Sequence, residues 1–273
     1  KPFVKRRTGV EMKGIYVDTS KRDAAFLIQY HSDQPGNLLT VPGMQEILHA
    51  MEQCRADEEA KVLLFTGSGD FFCMGGFLGD CADKGSEEIL RFADTLTALH
   101  RRMNRFPKPT VAVVNGHVGG GGLSFLETFD FAVSVPEAEY SLPEISNGSA
   151  PMLSILSVRN RYSRKLCMEM AGLGMRLNAG QALSLGLINR IAGQNMAETA
   201  ERDGENEAAR TPDVLEEALE TARRFAAGNL EAFGICKQYY ASASGLSYEQ
   251  QLEIGKEYLV TMLKYGKGGK ERI

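Results

Sequence analysis

The sequence has no long apolar run, no paired cysteine motif and no excess of basic residues, and each absence excludes a class of protein. No apolar stretch approaches the ~18 residues that a membrane-spanning helix needs. The basic N-terminal residues precede no apolar segment, so we expect no signal peptide. The formal net charge of −4 disfavours nucleic acid as the main partner. What remains is an ordinary soluble globular protein with 43% hydrophobic and 24% charged residues.

Cysteine and histidine are few and scattered, which argues against a metal centre. The five cysteines include no Cys-x-x-Cys pair, so neither a zinc site nor a disulfide framework is indicated. The four histidines form no cluster in the sequence. Reduced thiols are typical of the cytoplasm, so we predict a cytoplasmic protein without a metal.

Hydrophobic periodicity predicts an α/β core followed by helices. Strands are predicted over residues 14–20, 24–30, 62–66, 111–114 and 131–135, and helices over 41–55, 86–104, 168–173, 179–185, 212–228 and 249–264. Alternating strands and helices indicate an α/β layer with crossover helices. We predict a core domain over residues 1–200 and a helical region over 201–273. The acidic, alanine-rich residues 197–210 are interpreted as an exposed insertion or a frayed helix.

Two glycine turns follow predicted strands. Gly119–Gly122 lie between a strand and a helix, and Gly75 and Gly76 follow an earlier strand. Neither turn has the Gly-x-Gly-x-x-Gly or Gly-Lys-Ser/Thr pattern of a nucleotide site. The glycines could serve close packing alone, or their N–H groups could form an oxyanion hole. The second explanation accounts for glycines that each cost ~0.5–1 kcal/mol relative to alanine.

Five segments together resemble the enoyl-CoA hydratase/isomerase, or crotonase, superfamily. They are residues 72–77, 108–122, Asp130, 140–144 and 174–190. The resemblance implies a spiral of repeated ββα units and C-terminal helices that form a homotrimer or a dimer of trimers. It also implies an acyl-CoA or acyl-carrier-protein substrate, whose coenzyme A or phosphopantetheine arm makes a separate cofactor unnecessary. In this resemblance, the N–H groups of Gly76 and Gly121 hold the thioester oxygen.

The acid–base residues depart from the hydratase pattern. Hydratases of the superfamily use two glutamates, and the matching positions here hold Ser124 and Glu144. Glu127 lies out of register with the first position and is interpreted as a solvated or ion-paired helix residue. One carboxylate can move a proton between two carbons, so double-bond isomerisation by Glu144 is the favoured prediction.

Four alternatives to isomerisation stay open. Ser124 could position a water for hydration or dehydration by one glutamate. Residues 141–154 have a local likeness to the dehydratases of polyketide β-branching, which act on carrier-protein-bound chains. The same oxyanion hole could stabilise the enolate left by decarboxylation. A non-catalytic protein that binds acyl thioesters is the alternative from a different class.

The predicted substrate-binding residues lie in or beside the two glycine turns. They are Ser124, His117, Phe77, Gly120 and Met74. His117 could equally be a packed turn histidine, and Cys73 is interpreted as a small buried residue. Further candidates are two alternative acids, Asp80 and Asp83, and three C-terminal lysines that could meet a phosphate, Lys264, Lys267 and Lys270.

Overall fold

The computed structural model describes residues 16–32, 34–79, 84–159, 162–194 and 213–265. Its strands are β1 (Tyr16–Arg22), β2 (Ala25–His31), β3 (Val62–Thr66), β4 (Phe71–Cys73), β5 (Thr110–Val114), β6 (His117–Gly119), β7 (Phe131–Ser134), β8 (Glu139–Ser141), β9 (Leu177–Asn178) and β10 (Arg190–Ile191). Its helices are α1 (Val41–Ala56), α2 (Ser86–Asn104), α3 (Gly121–Leu126), α4 (Ser154–Arg159), α5 (Arg164–Leu173), α6 (Ala179–Ser184), α7 (Val214–Ala226), α8 (Leu230–Ala243) and α9 (Tyr248–Tyr265).

The strands form two sheets that the chain visits in turn. The larger sheet has the order β1-β2-β3-β5-β7-β10, and the smaller one has the order β4-β6-β8-β9. Each of β3, β5 and β7 joins the larger sheet, the next strand joins the smaller sheet, and a helix follows. The prediction of repeated ββα units is therefore confirmed.

The central strands of the larger sheet are buried on both faces. Leu63 and Phe65 of β3 face the main core, which also contains residues of α1, α2 and α3. Val62 and Leu64 face the other side, where Leu219 of α7 packs. Burial on both faces explains why β3 is a continuous apolar run rather than an alternating one. Each such side chain contributes roughly 1.5–3 kcal/mol when fully buried.

The first hairpin differs in register from the prediction. The predicted strands leave residues 21–23 for the turn, but Arg22 pairs with Ala25, so only Asp23 and Ala24 form the turn. Asp23 has a φ of 53°, in the left-handed region that aspartate tolerates better than most residues. As a result β1 and β2 end at Arg22 and His31, one or two residues later than predicted. The periodicity also does not predict the short strands β4, β6, β8, β9 and β10, or helices α4 and α8 as separate elements.

Helix α8 is fixed to the core by a buried ion pair. Lys237 Nζ lies 2.7 Å from Asp130 Oδ2, and the Lys237 side chain is only 8% exposed. The same carboxylate oxygen accepts hydrogen bonds from the Thr110 N–H and hydroxyl, both at 2.9 Å. Burial lowers the pKa of Lys237 from its ordinary value, and the charge of Asp130 opposes this effect. The ion pair thus stabilises α8 on the end of the ββα core.

Several predictions about the C-terminal region stay predictions. The insertion at 197–210 lies outside the described residues, as does the boundary near residue 200. Helix α9 exposes a row of large apolar side chains (Leu259, Val260, Leu263), but the predicted trimeric assembly remains untested. Within the described residues, no helix combines the length and apolar character needed to cross a membrane.

Candidate active site

The first glycine turn follows β4 and is held from one side by Leu39. The Leu39 N–H donates to Gly75 O, and the Phe77 N–H donates to Leu39 O, both at 2.8 Å. Gly75 has a φ of 106°, which a residue with a side chain rarely adopts. Among the described residues, the Gly76 N–H between these two bonds has no acceptor. The turn therefore leaves one backbone donor available.

Strand β4, which leads into this turn, is only three residues long, and two asparagines hold its start in place. Asn37 Nδ2 donates to Phe71 O at 2.6 Å, and Asn115 Nδ2 donates to the same carbonyl at 3.1 Å. Asn115 Oδ1 accepts from the Gly67 N–H at 3.0 Å. The side-chain amides of Asn37 and of Asn115, the residue after β5, thus fix the backbone of residues 67–71.

The second turn contacts the first directly. Gly120 has a φ of 51° and donates its N–H to Ser141 O at 3.0 Å. Gly121 begins α3, where the first N–H groups of a helix have no intrahelical acceptor. A Cβ placed on Gly121 would lie 3.3 Å from Gly76 N, and one on Gly75 would lie 2.7 Å from Gly121 N. The two backbone donors are therefore neighbours in space.

The four glycines of the second turn have different roles. A Cβ on Gly122 would lie 2.0 Å from the Cys73 carbonyl oxygen, a backbone atom that cannot easily move. A Cβ on Gly119 would instead meet Met74 Cε, the end of a flexible side chain, at 2.5 Å. Close packing therefore requires glycine at Gly122, while backbone conformation requires it at Gly120.

Glu144 places a carboxylate beside the second turn. Its Oε1 lies 3.1 Å from the position of a Cβ on Gly120, so a side chain at that glycine would obstruct it. Ser154, at the start of α4, donates its hydroxyl to the same Oε1 at 2.5 Å. The second oxygen, Oε2, is buried and has no hydrogen-bond partner among the described residues. One oxygen is thus fixed, and the other can accept a proton.

Ser124 lies in α3 and contacts a histidine of α2. Its hydroxyl donates to Gly121 O at 2.9 Å, and His100 Nε2 lies 2.9 Å from the same Oγ. His100 Nδ1 lies 2.8 Å from Leu96 O, one helical turn earlier. Burial lowers the pKa of His100 from its ordinary value of 6.5, so its imidazole is neutral at pH 7.

An aromatic ring and a cavity adjoin the first donor. A Cβ on Gly76 would lie 2.5 Å from Phe92 Cζ, so this ring of α2 stands against the turn. Phe77, the residue after Gly76, lines a cavity of about 420 Å³. Its walls combine apolar and charged side chains: Thr40, Val41, Pro42, Phe77, Leu78, Gly79, Lys84, Glu88 and Arg91. This volume falls within the range of small-molecule sites.

The structure brings most of the predicted site residues together. Gly76, Gly120, Gly121 and Glu144 meet as described above, and Ser124 bonds to Gly121. Phe77 lines the cavity and is 37% exposed. Met74 packs against Gly119, and its carbonyl oxygen lies 3.3 Å from the Cβ position of Gly120.

Other candidates lie apart from this cluster. His117 Nδ1 accepts the Glu139 N–H at 3.1 Å, at the opposite end of β6 from the glycine run. This contact agrees with the interpretation of His117 as a histidine packed in a turn. Cys73 is fully buried, and burial raises the pKa of its thiol to about 12, as expected for a small core residue. Glu127 is the C-terminal cap of α3.

The remaining charged candidates receive little support. Asp80, Asp83, Lys267 and Lys270 lie outside the described residues. Lys264 is exposed in the last turn of α9. Within the described residues, no group of three or more histidine, cysteine or carboxylate side chains is placed to hold a metal ion.

Three residues of the cluster were missed at the level of sequence. His100 and Phe92 look like members of the amphipathic α2, and Ser154 lies in a stretch without clear periodicity. Their roles depend on tertiary contacts, which join His100 to Ser124 over 24 positions. The helical spacing of Phe92, Leu96, Leu99 and Met103 predicts which face of α2 is buried, but it does not indicate a polar contact on that face.

Solved structures with this architecture define the fold class. A chain described as an enoyl-CoA hydratase from Polaromonas sp. JS666 superposes with a TM-score of 0.80 and 23% identity, covering 93% of each chain. A chain described as an enoyl-CoA hydratase/isomerase family protein from Silicibacter pomeroyi gives a TM-score of 0.75 and 24% identity, covering 90% of this chain and 97% of the other. The protein therefore has the crotonase fold.

Sequence comparison identifies the family. The family model described as enoyl-CoA hydratase/isomerase matches residues 21–263, so the chain belongs to this family and is an enzyme of the crotonase superfamily. A probable enoyl-CoA hydratase of Bacillus subtilis is 28% identical over 81% of this chain and 80% of its own. The 2,3-dehydroadipyl-CoA hydratase of Escherichia coli is 26% identical over 85% and 87%. The carnitinyl-CoA dehydratase of Salmonella typhi is 26% identical over 72% and 69%.

Proposed function

We propose that the protein catalyses the reversible addition of water to an enoyl thioester through an enolate intermediate. The observation that carries this proposal is the meeting of two available backbone donors, on Gly76 and Gly121, with the carboxylate of Glu144. The names of the similar proteins, which are hydratases and a dehydratase, favour this reaction over the isomerisation predicted from the sequence.

The two N–H groups would hold the thioester oxygen. When a proton leaves or joins the α-carbon, negative charge develops on that oxygen, and preorganised donors stabilise it without reorganisation. Removal of one such donor typically costs ~2.7–4 kcal/mol in catalysis. The ring of Phe92 beside Gly76 supplies an apolar wall that excludes water and strengthens these bonds.

Glu144 would move the proton at the α-carbon. Ser154 orients the carboxylate by bonding Oε1, which leaves the buried Oε2 as the atom that exchanges the proton. A positioned carboxylate of this kind contributes typically ~10²–10⁴-fold to a rate. The cavity beside Phe77 has room for part of the acyl thioester. In this proposal coenzyme A or phosphopantetheine belongs to the substrate, and no separate cofactor takes part.

A double-bond shift is the second candidate, and the serine at position 124 favours it. Isomerisation moves one proton between two carbons, so Glu144 alone would suffice. Hydration needs a second group that handles the proton of the water.

The replacement of Glu144 by Gln tests the proposal, because it removes the acid–base function and keeps the size of the side chain. The purified protein and Glu144→Gln are incubated with crotonyl-CoA and 3-hexenoyl-CoA in D₂O, and mass and absorbance are followed. Exposed Glu137 provides the matched control, Glu137→Gln. We expect water addition by the wild type and by Glu137→Gln, and its loss by at least ~10²-fold in Glu144→Gln.

The outcomes separate the candidates. A double-bond shift without water addition would establish isomerisation instead. Unchanged turnover in Glu144→Gln would refute the role of the carboxylate in either reaction.

A further inference from the structure

The contacts around His100 form a continuous chain between two carbonyl oxygens. The chain runs from Leu96 O to His100 Nδ1 at 2.8 Å, from His100 Nε2 to Ser124 Oγ at 2.9 Å, and from Ser124 Oγ to Gly121 O at 2.9 Å. Both ends are carbonyl oxygens, which can only accept hydrogen bonds. Each of the three contacts therefore needs one hydrogen between its two atoms.

These three contacts need one more hydrogen than the neutral side chains of His100 and Ser124 carry. A neutral imidazole has one N–H and the serine has one O–H, which satisfies only two of the three contacts. An imidazolium has two N–H groups, so all three contacts become hydrogen bonds. The geometry around His100 is therefore complete only in the protonated state.

Burial nevertheless favours the neutral form of the histidine before the reaction. Burial lowers the pKa of His100, and its ring packs edge-on against Phe125, with centroids 6.0 Å apart. A neutral imidazole whose hydrogen bonds are preorganised for the charged form is suited to accept a proton. The hydroxyl of Ser124 is the atom through which that proton can arrive.

We infer that Ser124 and His100 act together as the proton acceptor for the water that adds to the enoyl thioester, in place of a second carboxylate. This inference rests on the proposed hydration. Ser124 bonds the carbonyl of Gly121, whose own N–H is a proposed donor to the thioester oxygen. Ser124 is then a catalytic residue, and His100 acts through it as a positioning residue.

The water oxygen bonds to C3, and the C2–C3 π electrons move toward the thioester oxygen to give an enolate. The neutral imidazole keeps its N–H on Nδ1, toward Leu96 O, and the serine hydroxyl turns from Gly121 O to Nε2. The water proton then passes to Ser124 Oγ as the serine proton passes to His100 Nε2, which becomes an imidazolium, and the new hydroxyl hydrogen bonds Gly121 O. The Glu144 carboxyl group gives its proton to C2, and the carbonyl re-forms. Exchange with solvent returns the proton from His100 to Glu144, and dehydration follows the reverse path.

Two variants and one control separate this role from a structural one. His100→Gln keeps an amide that can bond Ser124 Oγ but cannot become charged. Ser124→Ala removes the hydroxyl. Thr128→Val is the control: like the hydroxyl of Ser124, that of Thr128 donates to the carbonyl three residues earlier, Phe125 O, at 2.6 Å, but among the described residues it contacts no histidine.

Two reactions are measured with each protein. The first is the addition of water to crotonyl-CoA, which needs the water proton to be accepted. The second is the exchange of the α-protons of butyryl-CoA in D₂O, which needs only Glu144 and the two backbone donors. We expect His100→Gln and Ser124→Ala to lower kcat for water addition by ~10²-fold or more, with KM and the α-proton exchange rate within about threefold of wild type. Thr128→Val should match the wild type in both reactions.

Three results would overturn the inference, and they differ from failure of the proposed function. Water addition at the wild-type rate by His100→Gln would show that no charge develops on residue 100. Parallel loss of water addition and α-proton exchange would show that the chain only supports the fold of α3. Full activity of Ser124→Ala would exclude the hydroxyl as the path. If the wild type itself exchanges α-protons but adds no water, the proposed hydration fails, and this inference fails with it.

Discussion

Ser154 tests how far the reaction depends on the orientation of the carboxylate. Ser154 is 4% exposed, and its hydroxyl donates a hydrogen bond to Glu144 Oε1 at 2.5 Å. Hydrogen bonds to charged groups contribute about 1.5–3 kcal/mol. If this amount is lost from the transition state in Ser154→Ala, kcat/KM falls by about 10- to 150-fold, since about 1.36 kcal/mol corresponds to a factor of ten.

Ser146 provides the matched control for this experiment. It lies in the same loop, is exposed, and donates to Pro143 O at 2.7 Å without contacting the carboxylate. The assay is α-proton exchange of butyryl-CoA in D₂O followed by NMR, with a thermal melt of each variant to compare stability. We expect Ser146→Ala to stay within twofold of wild type. Wild-type exchange by a folded Ser154→Ala would refute the argument that Ser154 orients Glu144.

Three further predictions concern stability. Gly122→Ala places a methyl group 2.0 Å from a backbone carbonyl oxygen and should lower the free energy of unfolding in urea by about 1–3 kcal/mol. At Gly172 an added Cβ would meet open space, so Gly172→Ala should raise the free energy of unfolding by about 0.5–1 kcal/mol. Equal stabilities of the two alanine variants would contradict the packing argument. Lys237→Met leaves Asp130 without its buried partner and should cost ~3–5 kcal/mol; a loss below 1 kcal/mol would show that α8 docks without the ion pair. Burial holds the pKa of His100 in the folded protein below its ordinary value of 6.5. As the pH falls below 6.5, the unfolded chain therefore binds a proton more readily than the folded one, and the free energy of unfolding decreases. His100→Gln should lose less stability than wild type between about pH 7.5 and about pH 5.5, and an equal loss would contradict the burial of a neutral imidazole.

Long elements with a strong pattern could be predicted closely from the sequence. Helix α2 has the predicted bounds, because a polar face opposes a row of apolar residues that ends before Phe106-Pro107. Strand β3 also has the predicted bounds, since four apolar residues and a threonine lie between Lys61 and Gly67. The strands of the smaller sheet are two or three residues long, which is too short for a periodicity to appear. Helix α8 buries only Ala243 fully, so no apolar stripe marks it.

The candidate site shows the same division between local and tertiary information. The glycine turns and the Pro143-Glu144 pair are contiguous in the sequence and were predicted. The partners of the acid–base residues are not contiguous: Ser154 reaches Glu144 from the next helix, and His100 reaches Ser124 from the preceding one. A substitution such as serine at position 124 shows that the usual carboxylate is missing. Only the fold shows which side chain stands beside its replacement.

The direct contact between the two glycine turns separates what can vary from what cannot. The proposed donors are main-chain atoms, so no exchange of a side chain can delete them, and a Cβ at Gly75 would force the turns apart. The proposed proton-handling groups are instead side chains, those of Glu144, Ser124 and His100. Under the proposed mechanism, single substitutions at positions such as 124 can therefore change the reaction, whereas loss of enolate stabilisation requires a shift of the backbone, such as a side chain at Gly75 would cause.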